Sequence, residues 1–107
     1  MNPMPRHTLA ASAAMLLACT ATAVRAQDSH LARNLAATCA NCHGTQGQAR
    51  GDMKPLAGLP AERIVAAFKD FKSGKQAATV MHQISKGYTD AQLQLIAGYF
   101  AAQKPLP

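Results

Sequence analysis

An all-α fold is what this sequence predicts, on three observations. Apolar residues recur at helical spacing in three separate stretches, glycine and proline fall at the edges of those stretches, and no run of alternating β-branched residues indicates a strand. In the first stretch Ser29 supplies an N-cap and Leu31, Ala32, Leu35, Ala36 and Cys39 recur on one side, so a helix is expected from about His30 up to Gly44. Gly44 to Leu59 is rich in glycine and polar residues, contains Pro55, and reads as an irregular loop. Pro60 suits the first turn of a second helix, in which Ile64, Val65, Phe68 and Phe71 form an apolar stripe that ends at Gly74. Thr89-Asp90-Ala91-Gln92 has the form of a capping box. Leu93, Ile96, Ala97 and Phe100 follow on one face of this third helix until Lys104-Pro105 stops it. A short turn of helix completes the set, and no internal repeat is present.

The first 26 residues read as an export leader rather than as part of the fold. Arg6 and His7 form a basic start, Thr8 to Ala18 an apolar segment of small residues and leucine, and Val24-Arg25-Ala26 a cleavage site of the A-x-A kind. The apolar segment is too short to span a bilayer, so no transmembrane segment is expected in the mature chain. A second cut competes: Leu16-Leu17-Ala18-Cys19 resembles a lipoprotein box, in which Cys19 would carry a lipid anchor, although the second leucine fits that box poorly. Cleavage after Ala26 leaves residues 27–107 as a single small domain in the periplasm, where disulfides persist and unattached thiols are at risk.

Cys39-Ala40-Asn41-Cys42-His43 carries the most chemistry in the chain. A C-x-x-C-H run is the attachment signature of c-type haem: two thiols at the spacing of the two vinyl groups, followed by an imidazole placed to bind the iron from the same side. Cys39 and Cys42 would form the thioethers, with His43 the proximal ligand. Zinc would need a second pair of ligands, which His30, His82 and Cys19 do not supply. A redox pair of the thioredoxin kind should sit beside a strand-helix-strand pattern, which the helical neighbourhood lacks. A plain disulfide would leave the adjoining histidine unexplained. The mature domain has no tryptophan, and Phe68, Phe71, Phe100, Tyr88 and Tyr99 are its aromatics. So small a chain buries little apolar surface, and a large apolar cofactor would supply part of its interior.

Taken together, the helix leading into C-x-x-C-H, the loop with Lys54-Pro55-Leu56-Ala57-Gly58-Leu59, a helix ending Phe71-Lys72-Ser73-Gly74, Met81, and a last helix ending Gly98-Tyr99-Phe100-Ala101-Ala102-Gln103 resemble a class I c-type cytochrome. Within that family, Phe71 to Gly74, Thr79-Val80-Met81 and Ile84 to Tyr88 look most like the cytochrome subunit of flavocytochrome c sulfide dehydrogenase. The Pro-Leu-Ala-Gly and Phe-Lys-Ser-Gly stretches are also similar to the di-haem c4 cytochromes, of which a chain with one haem motif could match one half. The resemblance implies three main helices and short helical turns wrapped around one covalent haem. It makes Met81 the sixth iron ligand. Physical reasoning favours the same residue, because the far-side ligand should come from a segment well separated from His43; Met53 and His82 are the alternatives. His82, beside Met81 on a helix, should point toward solvent, and His30 should lie on the surface of the first helix. The family pattern further implies that the carbonyl of Pro55 accepts the second ring N–H of His43, and that the first and last helices cross at small residues. Ala32, Ala36, Ala97 and Gly98 are the candidates for that crossing, with Leu35 and Tyr99 at its edges.

Charge adds a weaker constraint. The sequence carries +6, and loss of Arg6 and Arg25 with the leader leaves +4, which two haem propionates would lower further. Lys54, Lys69, Lys72, Lys75 and Lys86 fall in the half of the chain expected around Met81 and could steer an acidic partner; a merely solvating face is the other reading. Export and the lack of interleaved basic and aromatic residues argue against nucleic-acid binding. The expected work is one-electron transfer rather than catalysis, with a sulfide-oxidising flavoprotein subunit as partner and source of electrons. A freely diffusing carrier to a terminal oxidase or reductase is the alternative. A haem ligand sensor or peroxidase would need an open sixth position and a distal acid-base pair, which is not evident.

Overall fold

In a computed structural model of the chain, residues 28–107 are described, and all their regular structure is helical. The leader assignment, its cleavage after Ala26 and the lipid site at Cys19 lie outside the described residues. Residues 28–36 form α1, and the chain continues through a 3-10 turn, Ala37–Cys39, into the single turn α2, Ala40–His43. After a second 3-10 turn, Thr45–Gly47, and a loop come α3 (Ala61–Ser73), α4 (Met81–Lys86) and α5 (Asp90–Ala101).

The element ends follow the sequence signals. The capping box opens α5: Thr89 Oγ1 accepts from the Gln92 backbone at 3.2 Å, and Gln92 Oε1 accepts from the Thr89 backbone at 2.9 Å. Gly74 closes α3 in the left-handed conformation. Pro60 stands at the N-cap with extended backbone, one position before the first turn where it was expected. There its missing N–H costs nothing, and its carbonyl accepts from Arg63 and Ile64.

Leu31–Pro107 makes up one compact unit. Its core gathers Ala36 from α1, Ile64, Val65 and Phe68 from α3, and Leu93, Ile96, Ala97 and Phe100 from α5. These are the stripes the 3.6-residue period marks, with Leu35 and Tyr99 partly buried against them. Gly98 departs from expectation: it is exposed, and a Cβ added there would meet nothing within 4 Å. One position of rotation from Ala97 is enough to carry it off the buried face. Phe71, expected to close the α3 stripe, is half-buried.

The long loop is folded back on itself at Gly47. The Gly47 carbonyl accepts from Leu56 at 2.8 Å and from Ala57 at 3.1 Å, and Gly58 donates to Phe100 at 2.9 Å, which fastens the loop to α5. Gly47 has φ +75°, and a Cβ there would lie 2.7 Å from Phe100 Cδ1 and 2.9 Å from the Ala57 nitrogen. Gly47→Ala therefore combines left-handed strain with overpacking and is expected to destabilise the protein by about 3 kcal/mol, read as a lower urea midpoint at unchanged slope.

Candidate functional site

The sulfur and imidazole groups of the motif are brought to one place by a single helical path. Cys39 ends the 3-10 turn, while Cys42 and His43 end α2, so that the two thiols lie one turn apart. Both are unbridged, Cys39 half-buried against the core and Cys42 exposed. Burial pushes the Cys39 thiol up from its ordinary range, opposed by a hydrogen bond with Thr38, so this sulfur is held as the neutral thiol near neutrality. Gly44, with φ +78° and ψ 163°, ends α2 in a conformation open almost only to glycine, and a Cβ there would run into the Gln48 carbonyl.

His43 is held by the loop. Its Nδ1 lies 2.7 Å from the carbonyl oxygen of Lys54. A carbonyl can only accept, so Nδ1 carries the proton and Nε2 keeps its lone pair, the tautomer that a metal-ligating imidazole requires. The acceptor corrects the expectation of the Pro55 carbonyl. The bond falls one residue earlier, at the carbonyl of the Lys54–Pro55 peptide, and Pro55 acts through the residue before it by keeping Lys54 out of the helical region. Pro55 itself is exposed.

Met81 opens α4 and packs half-buried against the core. Met53, the alternative thioether, is exposed at 44% in the loop next to Lys54. His82 does not face solvent as expected: it is half-buried, and its Nδ1 is shut off from solvent without a hydrogen-bond partner. Because α4 packs on α3, positions beside Met81 are shielded too. His30 is exposed on α1.

Several groups around the site carry no sequence signal of their own. Ser85 is completely buried, and its hydroxyl donates to the Met81 carbonyl at 2.7 Å. The Tyr88 and Thr38 hydroxyls lie 3.0 Å apart. Lys72 donates to the Tyr88 carbonyl at 2.9 Å and sits 3.7 Å from Asp90, and Lys75 sits 3.5 Å from Asp70. Two of the five lysines expected to form a basic face thus have local acidic neighbours, leaving Lys54, Lys69 and Lys86 exposed. Among the described residues, no group of three or more His, Cys, Asp or Glu side chains could hold a metal ion by itself, and no helix is long and apolar enough to cross a membrane.

The donor set fits a haem. Two unbridged thiols one turn apart, an imidazole with Nδ1 donated and Nε2 free, and a half-buried thioether on a separate segment are the groups such a cofactor uses.

No family model matches the chain. It is 42% identical over 66 residues to the cytochrome subunit of sulfide dehydrogenase from Chlorobaculum tepidum, a match covering 62% of this chain and 60% of that protein. The chain thus spans less than two thirds of that relative's length. It is 33% identical over 79 residues to cytochrome c-554(547) of Halothiobacillus neapolitanus, covering 64% of this chain and 87% of the relative. Among solved structures, cytochrome c4 of Acidithiobacillus ferrooxidans is similar with a TM-score of 0.57 and 36% identity, over 60% of this chain and 38% of that one.

Proposed function

We propose that this chain, which belongs to the class I c-type cytochromes and carries covalent haem c, transfers electrons as the haem subunit of a periplasmic sulfide-oxidising complex. Electron transfer is the work of the family; the partner, the compartment and the ligands are our reading. The haem iron supplies one-electron exchange, and the chain's own residues set its surroundings. Cys39 and Cys42 would attach the ring, and His43 would bind the iron through Nε2. Its Nδ1 proton, donated to Lys54, fixes the ring's orientation and raises its basicity. Met81 would be the second ligand, its soft thioether favouring the reduced state and raising the potential. Held by both His43 and Met81, the iron would offer substrate no place to bind, and sulfide oxidation would belong to a flavoprotein partner.

The bond from His43 to the Lys54 carbonyl, directly after two unbridged thiols, carries the haem-site reading. The sulfide dehydrogenase relative supports the choice of partner. The export signal read in residues 1–26 supports the periplasm. The test uses the mature holoprotein in periplasmic extract. A flavoprotein is expected to co-purify with it, and added sulfide should reduce the haem. Isolation as a free monomer that such a flavoprotein cannot reduce would reject the subunit role and favour the freely diffusing carrier.

A further inference from the structure

The two segments that bracket the site are far apart in sequence, and one side chain joins them. α4 has six residues, too few to hold its own geometry, so the placement of Met81 depends on what the helix is fastened to. On its N-terminal side the backbone hydrogen bonds are local, Gln83 and Ile84 both donating to the Val80 carbonyl. The helix packs on α3, and its tertiary hydrogen bonds lie beyond its C-terminal end, at Tyr88. The Tyr88 hydroxyl meets Thr38 Oγ1 at 3.0 Å, fifty residues away and next to Cys39. Its carbonyl accepts from Lys72 of α3 at 2.9 Å, and Lys72 in turn sits 3.7 Å from Asp90 in the first turn of α5. Inside α4 the buried Ser85 hydroxyl donates to the Met81 carbonyl at 2.7 Å, so that displacement at the helix end is carried to the residue that opens it.

We propose that Tyr88 is a positioning residue for the sixth ligand: its hydroxyl bond to Thr38 fixes the segment bearing Met81 against the segment bearing Cys39, Cys42 and His43. The inference rests on Met81 as the ligand. Thr38 is suited to the task because it directly precedes Cys39 in the chain and thus stands between the attachment segment and the tyrosine. Tyr88 is half-buried, so its ring stays in place when the hydroxyl is removed and the bond can be tested alone.

The experiment compares holoprotein variants by the methionine-to-iron band of the oxidised form and by carbon monoxide binding to the reduced form. Tyr88→Phe is expected to raise apparent carbon monoxide affinity about fivefold, the effect of one hydrogen bond on the open population, and to lower the temperature at which the band is lost. Thr38→Val should do the same, the double variant no more than either single one, and Thr38→Ser should retain wild-type behaviour. A merely structural role would move the far-UV melt and the band together; a positioning role moves the band first. A wild-type protein without the band would defeat the Met81 assignment itself. A wild-type protein with the band, joined to an unchanged Tyr88→Phe variant or to additive effects in the double variant, would overturn the role of Tyr88 alone.

Discussion

Cys39→Ser/Cys42→Ser protein is expected to lose its haem to acidified acetone and, once stripped, to show no cooperative thermal unfolding. The reason lies in the size of the core. Ala32, Ala36, Ala57 and Ala97 are four of its ten buried apolar residues among those described, and Ile64, Val65, Phe68, Leu93, Ile96 and Phe100 are the larger ones. Each of these six contributes about 1.5–3 kcal/mol, against a cost of about 1–2 kcal/mol of backbone entropy for every residue ordered. Leu35, Leu56, Leu59, Tyr88, Tyr99 and Met81 pack against the core only in part. A covalently held macrocycle adds apolar contact area to just such half-covered side chains, and its attachment cannot be lost by dissociation. Removing it should erase a net stability of about 5 kcal/mol or more, the whole margin of a domain this small. Far-UV circular dichroism through a thermal ramp tests this; a sharp transition close to that of the covalent holoprotein would refute it.

The helices were legible because their signals are local. A stripe at 3.6-residue spacing identifies Ile64, Val65 and Phe68, and Leu93, Ile96, Ala97 and Phe100, as interior whatever surrounds them. The capping box at Thr89 and the glycine at position 74 are likewise complete within a few residues. The C-x-x-C-H run is legible for the same reason, since all its chemistry sits on one helical path. What escaped depends on how distant segments meet. Which carbonyl reaches His43 is decided by the fold of the loop between Gly47 and Leu59, and every residue of that loop has a carbonyl to offer. Lys54 thus has no sequence mark distinguishing it from Pro55. Thr38 and Ser85 look like ordinary polar helix residues, and only the arrival of Tyr88 over one and the seating of α4 on α3 over the other give them a place near the site. His82 departs from expectation for a related reason: one helix position away from a half-buried residue means exposure only if nothing else covers that side, and here the His82 ring is itself half-buried with Nδ1 shut off from solvent.

Met81→Ala is expected to have the second large effect, and it separates the rival ligands. Loss of the thioether should abolish the methionine-to-iron band, lower the midpoint potential, and open the reduced protein to carbon monoxide. If the native sixth position opens about 1% of the time, a permanently open one raises apparent carbon monoxide affinity about 100-fold. Met53→Ala should leave all three readouts unchanged, since that side chain is exposed in the loop. His82 offers the sharper challenge, because its Nδ1 is buried without a partner directly beside Met81. If His82 were the ligand, His82→Ala would open the site while Met81→Ala would not, and the methionine band would be missing from the native protein. Should His82 instead move in once the thioether is gone, Met81→Ala would stay six-coordinate, and only Met81→Ala/His82→Ala would bind carbon monoxide freely. Rapid binding by the unsubstituted protein at neutral pH would contradict a closed electron carrier and favour a sensor or peroxidase. The four variants and the unsubstituted protein together therefore assign the sixth ligand from its own behaviour, without relying on any relative.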